Sequence, residues 1–133
     1  MDKQLDDMLC ARWPAIFRDR HVDPAISCMG RGFECGNGWF WLVDQACAAL
    51  QAEADRGDAQ QPVAAQVKEK FGSLRIQLVK AGPSQRAVLD FLYGLSTVTS
   101  ETCGQLGMQC IHAGAHLAQV QGQAWDTRFK STK

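Results

Sequence analysis

The feature that most constrains this chain is a change of apolar period, from helical to alternating and back again. Trp39, Leu42, Val43, Ala46, Cys47 and Leu50 return to one face at helical spacing, which predicts a helix over about 38–54. Val63, Ala65 and Val67 then alternate with other residues, as do Leu74, Ile76 and Leu78, and Phe71-Gly72 sits between the runs where a turn is needed. After Gly82-Pro83 the helical spacing resumes at Val88, Phe91, Leu92, Leu95 and Val98. Neither an all-helical nor an all-strand fold accommodates both periods. The pattern predicts an α+β domain, a small antiparallel sheet with two long helices packed on one face.

Local signals set the boundaries. Leu5, Met8, Leu9 and Trp13 fit a short first helix, ended by Pro14, which biases Trp13 away from the α region. Residues 15–38 carry one proline, Pro24, and four glycines with no sustained period and read as a long irregular segment, a kind that tends to be functional in compact domains. Asn37 is the expected N-cap of the central helix and Ser84 that of the last, which should end near Gly104. Short strands are expected over 108–129.

At 133 residues, with 46% hydrophobic and 21% charged residues, the chain suits a single domain, 1–133, that buries one core without obligatory disulfides or metal. Fourteen basic residues balance fourteen acidic ones, so no broad positive field favours phosphate, and nucleic acid is not the default partner. The polar, acidic start and the lack of a long apolar run point to a cytoplasmic protein without a membrane association, either a monomer or a dimer. In that setting the six cysteines are expected as thiols, with Cys47 on a buried helix face.

Three constellations can carry chemistry. Cys103, Cys110, His112 and His116 are all of ligand type for zinc, but their C-x6-C-x-H-x3-H spacing lacks the close cysteine pair of structural sites. Zinc is therefore a minor reading, and no cofactor is expected. Arg18, Arg20 and His21 crowd around Asp19 and suit an anion-binding site, with local ion pairing as the plainer account. The segment Gly30 to Trp41 joins four glycines to Phe33, Trp39, Phe40 and Trp41 just before the strongest helix. It fits either a ligand pocket or a tight loop that plugs the core with Phe33 and Trp39. Tryptophans two residues apart cannot easily share a buried face, so one of Trp39 and Trp41 should be partly exposed, and Phe33, Trp39, Trp41 and Arg31 form the candidate partner-binding group. No nucleophile elbow, phosphate loop, dinucleotide fingerprint or H-E-x-x-H motif is present, which weighs against an enzyme.

Three segments together carry a family resemblance: Trp13-Pro14-Ala15-Ile16-Phe17-Arg18-Asp19-Arg20, Gly32-Phe33-Glu34-Cys35-Gly36-Asn37-Gly38-Trp39, and Gln66-Val67-Lys68-Glu69-Lys70-Phe71-Gly72-Ser73-Leu74-Arg75. The chain resembles, up to about residue 107, an uncharacterised family of small bacteriophage and prophage proteins with a GF-x-C-G-D-G-W loop and a VKEKFG-T-LR hairpin. Members of that family often continue with a zinc-knuckle-like C-x-x-C-G-x-x-G segment. Here Ser100 stands where the first cysteine would be, in Ser100-Glu101-Thr102-Cys103-Gly104-Gln105-Leu106-Gly107, so the inferred finger is degenerate. The resemblance implies a phage or prophage accessory protein. Together with the absent enzyme motifs it leads to the expectation of a non-enzymatic protein that binds a host or phage protein, such as a defence or regulatory complex. A small enzyme or anion-binding domain built on Arg18, Arg20, His21 and the 30–38 loop is the rival, and a degenerate zinc-finger nucleic-acid module the third reading.

Overall fold

The computed structural model describes residues 1–107. Within these residues, three α-helices and a three-stranded mixed sheet make an α+β fold. The first helix, α1, spans Lys3–Arg12, and its chain leaves at Trp13, as Pro14 dictates. A stretch of turns and a short 3-10 helix, Cys28–Arg31, leads to strand β1, Phe33–Glu34. A second 3-10 turn, Asn37–Trp39, opens directly into α2, Phe40–Asp55. Strands β2, Ala64–Lys70, and β3, Ser73–Leu78, form a hairpin, and α3, Pro83–Ser96, follows.

The sheet order is β1-β2-β3, with β2 central. The hairpin is antiparallel, as its alternation predicts, but β1 runs parallel to β2 and pairs Phe33 with Val67. The expectation of a wholly antiparallel sheet is thereby corrected. A parallel pair needs a crossover, and α2 supplies it between β1 and β2. The two-residue strand offers no period for sequence reasoning to detect.

Phe71 and Gly72 both have positive φ, 52° and 79°, as a tight two-residue hairpin turn requires. Glycine takes that conformation freely; phenylalanine does not. Phe71 is held there 88% exposed, with the Lys70 ammonium 5.7 Å from its ring centre.

Both N-cap expectations give way to other arrangements. Asn37 Oδ1 accepts a hydrogen bond from the Asp2 amide at 2.8 Å rather than capping α2. At α3, Gly82 is the N-cap with Pro83 in the first turn, Gln85 Oε1 accepts from the Gly82 amide at 3.0 Å, and Ser84 Oγ donates to Glu53. The helix stops at Ser96, well before Gly104, in a run of Ser, Thr and Val residues. There the hydroxyls of Ser96, Thr97 and Thr99 donate to the carbonyls of Tyr93, Gly94 and Leu95. The strands expected over 108–129 lie outside the described residues.

One core joins these elements. Leu42, Val43, Ala46 and Cys47 of α2 share it with Val67, Leu74 and Leu92, while Phe17 meets Phe33 edge to face at 4.8 Å. Helix α3 packs on β3 on one flank and on α2 on the other.

Candidate functional site

The glycine-rich loop is a packing device. Gly36 donates its amide to Glu101 Oε2 at 3.0 Å, and Gly38 donates to the Glu101 carbonyl at 2.8 Å. A Cβ on Gly36 would overlap the Glu101 carbonyl oxygen, and one on Gly38 the Ser100 carbonyl oxygen. Glycine is needed because two backbones meet there, not because a ligand approaches. Trp39 completes the corner: it is wholly buried, and its indole N–H donates to the Thr99 carbonyl at 2.9 Å. Phe33 is buried too. Both belong to the core and drop out of the expected partner-binding group, in which Arg31 and Trp41 stay exposed.

Burying Trp39 forces Trp41 outward, since the two stand at the start of α2 two positions apart. Trp41 is 46% exposed and forms one end of an apolar groove of about 180 Å³ between α2 and α3. Ala46 and Ala49 give its floor on α2, and Val88, Phe91 and Leu95 its opposite wall. Phe91, expected on the buried face of its helix, is 72% exposed. The helical period identified the residue but not its fate, because the apolar stripe of α3 is wider than the surface α2 covers. Gln45 is the one polar residue in the lining.

Arg18, Arg20 and His21 do not act together. Arg20 is committed to the buried Asp6, with Nε 3.0 Å from Oδ1 and Nη2 2.7 Å from Oδ2, and its guanidinium lies where a side chain on Gly32 would be. Its pKa is raised, chiefly by that hydrogen bond to Asp6. Arg18 faces solvent with Asp19 3.8 Å away, and His21 is exposed. The arginine thus clamps α1 to the irregular segment and is not available to an anion.

Cys103 is exposed in a turn built by Ser100, whose Oγ accepts from the amides of Thr102 at 3.1 Å and Cys103 at 3.3 Å. The serine hydroxyl thereby holds the turn together. Cys110, His112 and His116 lie outside the described residues, and among the described residues no three His, Cys, Asp or Glu side chains group as metal ligands. No disulfide joins any two of the five described cysteines. Burial pushes the Cys35 thiol up to about 12, and burial with the nearby Asp6 carboxylate pushes Cys10 up to about 11; Cys47 is raised by burial as well. Cys35 and Cys47 are thiols of the interior and Cys10 is a partly buried one at its edge, and none is shifted toward a thiolate.

Among the described residues no helix is long and apolar enough to cross a membrane. No protein-family model, curated protein or solved structure matches the chain.

Proposed function

We propose that this is a non-enzymatic binding protein whose α2–α3 groove receives an amphipathic helix of a partner protein. One observation carries the reading: an open apolar groove between two helices, with Trp41 and Phe91 standing exposed at its rim. Exposed apolar surface gathered in a groove marks interaction sites, and tryptophan is prominent among residues that dominate binding energy. From Trp41 to Ala49 the groove follows about two turns of α2, about 12 Å, the reach of an i, i+3/i+4, i+7 apolar stripe on a partner helix. Gln45 offers an amide that can fix the partner's register. The commitment of Arg20 to Asp6 and the packing of Gly36 and Gly38 against Glu101 weigh against the enzyme reading built on Arg18, Arg20, His21 and the 30–38 loop.

The phage or prophage setting and the cytoplasm form part of this proposal, the former resting on the sequence resemblance. The partner is then a host or phage protein with an exposed amphipathic helix, a defence or regulatory complex being the leading class.

The test is a photo-crosslinking amino acid placed at position 91, with position 56 as an exposed control outside the groove, in cells that express the full chain. A single protein joined from 91 through a helical segment, and lost when Trp41→Ala is added, is the expected result. Equal yields from both positions, or a yield indifferent to Trp41→Ala, would refute the groove as the site.

A further inference from the structure

The other flank of α3 faces a second cleft, of different character. The geometry points to the outer edge of β3 as a docking site for an extended, acidic peptide segment, which adds a strand to the sheet in the cleft between β3 and α3.

The hairpin register decides which backbone groups face this cleft. Lys70 pairs with Ser73 across the two-residue turn, so the hydrogen-bonded pairs continue at Lys68 with Arg75 and Gln66 with Gln77. The backbone groups of Leu74, Ile76 and Leu78 therefore point away from β2. The Leu74 amide confirms the direction, because it donates outward to Ser96 Oγ at 2.8 Å. Among the described residues no strand lies beyond β3, and Ile76, in a non-hydrogen-bonded pair with Val67, has no backbone partner for its amide or carbonyl there. Natural proteins protect such edges with prolines, bulges or a cover. The bulge here is in β2, at Ala64 to Gln66, and β3 has no proline.

A cleft of about 410 Å³ runs along this edge, with Leu74, Arg75 and Ile76 on one side and Arg86, Leu89 and Tyr93 on the other. An edge strand beside a helix, separated by a cleft, is the arrangement that accepts a peptide by strand addition. Main-chain bonds from Ile76 would set the register, and the apolar wall at Leu89 would take alternate side chains.

Charge selects the peptide. Arg75 lies with its guanidinium 4.5 Å from the Tyr93 ring centre and donates Nε–H to Ser73 Oγ, while Arg86 donates one N–H to the Ala81 carbonyl. Neither guanidinium is in an ion pair among the described residues, although Asp90 lines the same cleft. Two positive groups against one carboxylate favour a segment whose outward side chains are Asp or Glu.

The experiment follows the Ile76 amide of the full chain by NMR hydrogen exchange, with a short capped peptide that alternates valine and glutamate, and a valine–lysine peptide as control. The amide is expected to exchange readily in the free protein and to become protected on saturable binding of the acidic peptide alone. Arg75→Glu and Arg86→Glu should each weaken binding about tenfold. Ile76→Pro removes an N–H that the hairpin does not use and should abolish binding. If that variant does not fold, the two arginine variants decide, since both side chains are exposed. An Ile76 amide already protected in the free chain would show the edge covered by this chain or a second copy and would overturn the proposal. So would equal binding of the lysine peptide, or no binding of the acidic one.

Discussion

At the corner where Gly36–Trp39 meets Thr99–Gly104, backbone touches backbone and the inward polar groups are satisfied: Gly36 and Gly38 donate to Glu101, and Trp39 to Thr99. Along α3 the arrangement is reversed. Phe91 and Trp41 rim an apolar groove on one flank, and Arg75, Arg86 and the Ile76 backbone face a cleft on the other. The region with the most conspicuous sequence thus holds the fold together, while the plainer helix carries the open surfaces proposed as binding sites. Packed glycine corners tolerate little, and open flanks tolerate much.

Gly38→Ala should have the largest effect, because its methyl would overlap the Ser100 carbonyl oxygen and the backbone must move; a loss of about 3 kcal/mol in urea denaturation is expected. Asp6→Asn leaves Arg20 without its carboxylate and should cost about 2 kcal/mol by the same measurement. A loss below about 0.5 kcal/mol in either case would erase the contrast with the surface.

The buried thiols extend the contrast to pH. Cys35 ionises near 9.0 when unfolded and is raised to about 12 in the fold, so folding favours its neutral form. Its contribution is intact below pH 9 and is lost as pH climbs toward 12. The melting temperature should therefore fall over that window, and Cys35→Ala, though less stable at neutral pH, should show a shallower fall. An identical slope in the variant would mean that Cys35 is not the group involved.

Phe71→Asn should act in the opposite direction. Asparagine accepts positive φ more readily than phenylalanine, so the variant is expected to gain about 1 kcal/mol in thermal unfolding. Destabilisation instead would mean that the exposed ring contributes packing not evident from its 88% exposure.

Periodic segments were legible in sequence. The six apolar positions from Trp39 to Leu50 are all buried, and the Phe71-Gly72 turn sits where the two alternating runs require it. What escaped was non-periodic or long-range. Strand β1 has two residues, and its parallel pairing with β2 depends on a contact between Phe33 and Val67. Arg20 looks like an anion ligand beside Arg18 and His21, because its partner Asp6 lies fourteen residues away on α1. Of the partner-binding group, the two-residue spacing required that Trp39 and Trp41 differ, but only the packing against Thr99 determines which one is inside. Phe91 belonged to a legible helix face whose cover is incomplete.

The most direct test of the central claim is calorimetric titration of the helix captured at position 91 into the full chain and into the Trp41→Ala, Phe91→Ala double variant. The two truncations should weaken binding about a hundredfold, with the unfolding free energy falling by no more than about 0.5 kcal/mol for Phe91, which is 72% exposed, and by about 2 kcal/mol for Trp41, which is 46% exposed, so that the double variant stays folded. Unchanged affinity in a folded double variant would contradict the assignment of the α2–α3 groove as the binding site.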